Sequence, residues 1–292
     1  MKSRFPLNKT VTYRMAVFHL GALAAPFFFS WNHLILGLSV WTITSSLGIG
    51  VGYHRLLTHK GFKTYKWVEY TLATIGALAQ QGIAVLWVAL HKAHHAFTEQ
   101  PGLDPHTPLD GRWWSHMDWM IHSDPQLLKR IDLNKWVPEL KRQPFYRKRY
   151  MGWVPTAVLA GMCFLVGSGI VGLLWTSTIP TLGQVLPILV SGVGAVLWGV
   201  NVPIFLGNHQ TWAVNSWTHM WGRRRYDTDD DSRNSFLLAL LTHGEGWHNN
   251  HHQYQRSARH GHVWYEIDVN WYIIKVMEHY GLAWDIQTPN SV

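Results

Sequence analysis

The 292-residue chain has one cysteine, only 17 acidic residues and just 14% charged residues in all. The lone Cys163 excludes an internal disulfide and any thiolate metal cluster. A soluble domain carries nearer a quarter of its residues charged, so this deficit, beside 47% hydrophobic residues, points to a membrane protein. No small-residue cleavage site follows an isolated apolar core, so no removable signal is expected. There is no low-complexity linker, and no internal repeat beyond two similar hydrophobic hairpins. The charge that is present is basic, with a net of +8. It flanks the apolar segments, at Lys2, Arg4, Lys9 and Arg14, from Lys141 to Arg149, and from Arg223 to Arg225. That is the positive-inside pattern, with some attraction to membrane lipid headgroups, and no nucleic-acid partner is expected.

Four segments are long and apolar enough to predict an all-α protein with four transmembrane helices in two hairpins. They cover residues 15–30, 34–51, 153–175 and 182–206, near the ~20 residues that cross a bilayer core. The links around Trp31–His33 and Thr176–Thr181 carry no Lys or Arg. Both termini and the central region are therefore expected on the cytoplasmic side. A fifth apolar stretch within residues 66–90 holds Gln80, Gln81 and Gly82 at its centre. A span there would put the histidines that follow it on the opposite face of the membrane. One or two interfacial helices are expected instead. Residues 92–151 and 208–292 then form a cytosolic helical cap, and residues 1–292 a single domain. The 18 tryptophans suit the headgroup belts; Trp113, Trp114, Trp212, Trp217 and Trp247 are candidates to line an internal tunnel.

Histidine is abundant, with 19 copies. Random placement would give ~0.08 copies of His-x-x-His-His, counted rather than judged by eye. The chain has two, His91-Lys-Ala-His94-His95 and His248-Asn-Asn-His251-His252. Positions three and four apart share a helix face, so each triplet can address one locus. His54 and His59 follow the second span and are five apart, which requires a bend or separate roles toward two metals. Eight imidazoles exceed the four ligands of a zinc site, so two adjacent metals fit better. Imidazole suits iron, copper, zinc and nickel alike. The boxes sit at the mouths of the spans rather than at mid-bilayer, where a transporter places its ionisable groups. His19 and His33 are read as packed, hydrogen-bonded residues. No side chain attacks an unactivated C–H bond, so chemistry on a lipid-like substrate there calls for a metal and oxygen.

From about Gly50 to Asp268 the sequence resembles the membrane fatty-acyl desaturases of the stearoyl-type, delta-9 branch. The likeness rests on Gly52-Tyr-His-Arg-Leu-Leu-Thr-His59, on His91–His95 followed by Asp104-Pro-His106, and on Gly244-Glu-Gly-Trp-His-Asn-Asn-His-His252. It adds Asn215-Ser-Trp-Thr-His219, in which it implies a ninth histidine ligand and an asparagine that holds a metal-bound water. The implied ligands of two iron ions are His54, His59, His91, His94, His95, His219, His248, His251 and His252, with Asn215 acting through water. The implied reaction uses O2 and two electrons to place a cis double bond in a saturated acyl chain carried by CoA, a carrier protein or a glycerolipid. Asp104, Glu245, Asp118 and Asp227 are candidates to orient the imidazoles. Of the histidines outside the matching positions (His106, His116, His122, His209, His243, His260, His262 and His279), His243 is the first choice for a supporting role.

The chain has no His-Pro-Gly-Gly haem motif. Electrons are therefore expected from a separate ferredoxin, rubredoxin or cytochrome b5. The short termini and the Trp247-His-Asn-Asn form resemble bacterial, cyanobacterial or plant members, and a bacterial inner membrane is expected. A related acyl hydroxylase, a terminal-alkene-forming enzyme and a histidine-rich metal transporter are the alternatives.

Overall fold

A computed structural model describes residues 5–122, 124, 129, 131–170, 173 and 180–290. Lys2, Arg4, the end of the expected third span at Trp175 and most of the 176–181 link lie outside these residues.

The protein is mostly helical. Three helices are long and apolar enough to cross a membrane: α1 (Lys9–Phe28, 20 residues), α2 (Trp31–Thr58, 28 residues) and a later one of 36 residues, Leu182–Trp217. The Asn8 side chain caps α1 by accepting from Val11 N at 3.2 Å, and Ser30 caps α2 by accepting from His33 N at 3.1 Å. Both side chains satisfy amides that the helix itself leaves unpaired.

α2 begins among exposed apolar residues, Trp31 at 71% and Ile35 at 61%, and ends buried. Its second half, Ile43–Thr58, is π-helical. Its glycines admit close neighbours there: a Cβ on Gly48 would meet the backbone of Gly76 at 2.6–2.7 Å. The helix thus reaches well past the expected end at Val51 and delivers the first histidine box into the core.

β1 (Lys63–Thr64) follows, then α3 (Lys66–Leu78) and α4 (Ala84–Phe97). At 13 and 14 residues, both are too short to span. Between them Gln80 binds Gly152 O at 2.8 Å and Thr156 Oγ1 at 2.7 Å, while Gln81 binds Gly207 O and Thr211 Oγ1. The polar pair that interrupts this apolar stretch is thus a tether to the later helices. α4 carries the second box within its last turns, rather than after it.

α5 (Val154–Gly167) is apolar but has 14 residues where the sequence predicts a span to 175. It packs against α6 (Leu182–Trp217). At ~1.5 Å per residue, α6 is ~54 Å long, well over the ~30 Å hydrocarbon layer. It continues past the expected end at Leu206 through Asn208, His209 and Asn215. Hydropathy marks where a helix leaves lipid, and this helix goes on beyond that point.

Three shorter helices complete the site: α7 (Phe236–Leu241), α8 (His248–Gln253) and α9 (Val269–His279). β2 (Ala283–Trp284) pairs antiparallel with β1, the small departure from an all-α chain. The main core packs Val51, Tyr53 and Leu57 of α2 against Leu72 of α3, Val88 of α4 and Ile274 of α9.

Candidate metal centre

The side chains of His54, His59, His91, His95 and His251 place ring nitrogens within 4.8 Å of one another. A second group, His94, His219, His248 and His252, does the same. Together they use all nine histidines of the expected ligand set.

The grouping corrects the expectation that each triplet addresses one locus. In α4, His91 and His95 join the five-histidine group and His94 the other. In α8 the pattern is exchanged: His248 and His252 join the four-histidine group and His251 the five. At ~100° per residue, positions i+3 and i+4 diverge by one step around the axis, enough to serve two centres about a shared face. The spacing of His54 and His59 also finds its reason. A π-helix bonds i to i+5, and His59 N donates to His54 O at 3.1 Å. The two rings stand 4.8 Å apart, in one group.

Whether these residues fit a metal is tested by their nitrogens. In the five-histidine group, Nε2 of His54, His251, His95, His91 and His59 follow one another at 3.0–3.1 Å. A neutral imidazole has one N–H and cannot serve two such neighbours. Nitrogens about 2.1 Å from one cation and at right angles to each other stand about 3.0 Å apart, which matches this spacing. In the four-histidine group the Nε2 atoms of His94 and His252 are buried without a protein partner, and those of His219 and His248 lie 3.0 Å apart. Both groups can hold a metal ion.

Burial, with neighbouring histidines, holds His59, His91, His95, His248 and His251 well below the ordinary imidazole pKa. Burial likewise lowers His252, to about 4. These rings are neutral at pH 7, the form that binds metal.

Carboxylates hold the outer nitrogens. His94 Nδ1 donates to Asp104 at 3.0 Å, His219 Nδ1 to Glu99 at 2.9 Å, His252 Nδ1 to Asp230 at 2.6 Å, and His54 Nδ1 to Glu245. Such partners fix ring orientation and raise ligand basicity. Of the four acids expected in this role, Asp104 and Glu245 are in place. Asp118 instead lies near His122, and Asp227 is an exposed partner of Arg224. Glu99 and Asp230 were not anticipated. Their signals were faint: Glu99 falls one turn after His95, and Asp230 sits in an acidic run within an acid-poor chain.

Glu245 has a larger setting. Burial opposes its ionisation, but Arg55 and His54 hold its carboxyl well below the usual range. Arg55 is fully buried, 2.9 Å from both Glu245 and Asp268, and Asn270 donates to Glu245 at 2.7 Å. The adjacent asparagines of the third box are structural anchors. Asn249 accepts from the amides of Arg225 and Tyr226, while Asn250 donates to His260 O and Glu266 at 2.8 Å.

The remaining histidines lie around the two groups or away from them. His243 contacts Gln210 and Trp41, not a ring of either group. His260 packs on His251 at 4.5 Å and His106 on His94 at 4.4 Å. His19 Nδ1 and His33 Nδ1 donate to local carbonyls, Met15 O and Phe28 O. His19 also meets His209, which meets His116.

Three cavities share walls in sequence. A larger one of about 200 Å³ opens beside Arg14, Phe18 and His19 of α1. It shares Gln81, Leu90, Trp119 and Met120 with a second, which shares Trp87, His91, Thr211 and Asn215 with a third that touches His54 and His248. Trp212 lines this path, together with Trp87 and Trp119. Of the other tunnel candidates, Trp113 and Trp217 are exposed, and the buried Trp247 is bonded to Ile267 O.

Comparison with known proteins gives the family. The family model for fatty acid desaturase matches residues 26–288. The chain is similar to the sn-2 palmitoyl-lipid 9-desaturase of Nostoc sp. (strain 36), at 41% identity over 91% of this chain and 86% of that one. It is similar to the sn-1 stearoyl-lipid 9-desaturase of Synechocystis sp., at 37% over 96% and 80%. An acyl-CoA 5-desaturase of Anemone leveillei is 38% identical over 94% and 78%. A family match over most of its length, joined to two buried histidine groups beside long apolar helices, means that the chain belongs to the fatty acid desaturase family.

Proposed function

We propose that this desaturase is a four-span membrane protein that places a cis double bond at carbon 9 of acyl chains carried on glycerolipids, using two irons. The observation that carries the reading is the division of nine convergent imidazoles into two adjacent groups at the end of a cavity path. His54, His59, His91, His95 and His251 would hold one iron, and His94, His219, His248 and His252 the other. The four-histidine group, with fewer protein ligands, leaves room for a water held by Asn215, which lines the adjoining cavities. Iron would supply the oxygen chemistry that side chains lack.

The chain's own residues would bind and position the acyl chain. Trp87, Trp119 and Trp212 offer flat apolar walls, and holding one C–H bond beside the metals supplies the orientation the reaction needs. The carboxylates keep each imidazole aimed. The cavity path begins at the flank of α1, whose Tyr13 and Leu20 are exposed at 72% and 65%. An opening beside lipid-facing residues suits a substrate that arrives from the membrane. The names of the cyanobacterial relatives point the same way. In this reading α5 belongs to the third span. The termini and the single cap (residues 92–151 and 208–292) face the cytoplasm, at a bacterial inner membrane. The electron donor is a separate ferredoxin, rubredoxin or cytochrome b5.

Expression in a host lacking 9-desaturase, followed by mass spectrometry of derivatised fatty acids, tests this. A new carbon-9 double bond in membrane lipids, absent with His251→Ala, is expected. Hydroxylated chains instead would overturn the reaction assignment.

A further inference from the structure

The five-histidine group is reached from a second side, by a cleft that shares no lining residue with the three cavities above. The cleft has a volume of about 440 Å³, and His59 and His95 form part of its wall. Its other walls include Lys60, Lys92, Trp136 and Arg256. Three cations in one cleft stand out on a chain this poor in charge. Glu139 lies 3.8 Å from Lys60 and 3.3 Å from Lys92, leaving the rim net positive. Arg256 is exposed and makes no ion pair among the described residues.

The balance of the proposed reaction gives such an entrance a use. Each turnover takes two electrons, one from each of two reduced carriers, and two protons. O2 then becomes two waters as –CH2–CH2– becomes –CH=CH–. An acyl chain filling the first path blocks approach from that side. The cleft brings a visitor against two imidazoles of the metal centre without crossing the acyl path.

We infer that the cleft walled by Lys60, Lys92, Trp136 and Arg256 is the docking site of the electron donor, a small acidic one-electron carrier that meets the centre at His59 and His95. The inference rests on the desaturase reading for the donor's purpose. Opposite charge steers encounter and fixes register, so rim cations would act on capture of the carrier rather than on the chemistry that follows.

The test uses the full chain, metal-loaded in lipid nanodiscs, with an acidic [2Fe–2S] ferredoxin as the probe. Binding of oxidised ferredoxin and turnover with reduced ferredoxin are measured between about 50 and 300 mM salt, where screening tightens. Arg256→Glu is expected to raise both Kd and KM for ferredoxin on the order of tenfold. The kcat at saturation and the metal content should be unchanged, and the salt dependence flatter. Arg256→Gln and Lys60→Gln should fall between, and Arg256→Lys should restore binding. Wild-type binding in Arg256→Glu and Arg256→Gln, salt-independent binding by the parent protein, or an equal loss in Lys275→Glu, outside the cleft lining, would each overturn the proposal. A chain that binds ferredoxin at this cleft but makes no double bond would keep the docking site and sink the desaturase reading.

Discussion

The two histidine groups are built by different means. In the four-histidine group three of four rings lean on a carboxylate: His94 on Asp104, His219 on Glu99 and His252 on Asp230. Among the described residues, only His54 of the five-histidine group has one, Glu245, and that acid is shared with Arg55. The outer nitrogens of His95 and His251 are buried and have no partner among the described residues. Rings there are held by packing instead, His91 stacked on Trp87 at 5.1 Å and His251 on His260. One group has more imidazoles and looser support, the other fewer imidazoles and firmer support. A centre that keeps a position open for chemistry needs its remaining ligands well fixed, so the four-histidine group is the better candidate for the exchangeable position.

The largest expected effect comes from removing one ring from each group. His251→Ala and His252→Ala should each abolish desaturation, but leave different metals behind. Each variant should retain about one metal per chain, and the two should differ spectroscopically. Loss of both metals from either variant would show that the groups are one cooperative unit and would break the comparison.

A smaller effect is expected from the carboxylates. Asp230→Asn and Asp104→Asn should weaken metal binding about 10–100-fold, the usual cost of such partners. The loss should be confined to the four-histidine metal and is read by competition with a chelator. Glu245→Gln is different in kind, since it leaves Arg55 with Asp268 as its one remaining carboxylate among the described residues, besides Ala258 O. It should lower stability by about 1–3 kcal/mol, the cost of taking a hydrogen-bond partner from a buried polar group, as well as loosening His54. A stability change in Asp230→Asn as large as in Glu245→Gln would erase the distinction between a carboxylate that aims a ring and one that also neutralises a buried cation.

How much of this was legible follows the same division. Two His-x-x-His-His runs in helical register announce a shared face, and hydropathy locates three long apolar helices. The pairing of His54 with His59 was illegible because α-helical periodicity separates positions five apart, and only the π-helical turn reunites them. The end of α6 was illegible because Asn208, His209 and Gln210 look like a departure from the helix, when they are only a departure from lipid. Glu99 and Asp230 reach their rings from 120 and 22 residues away. Nothing local marks a carboxylate as the partner of a distant imidazole. Local periodicity is visible in a sequence, whereas the long-range partners that select among its meanings come from packing.

Acid should give the gentlest probe of the comparison. The histidine value of 6.5 falls to about 4 for His252 in the folded chain. The folded state therefore binds fewer protons than the unfolded state between these values. For metal-free protein the stability this neutral ring contributes is complete above about pH 6.5 and is lost as pH falls toward 4. Across that window the thermal midpoint should drop by a few degrees, and bound metal should shift the loss to lower pH because protons must displace it. Asp230 raises the His252 value against burial, so Asp230→Asn should deepen the depression and extend the acid loss below pH 4. If Asp230→Asn leaves that profile unchanged, the carboxylate does not act on the ring. The firmer support assigned to the four-histidine group would then have to come from packing, as it does in the other.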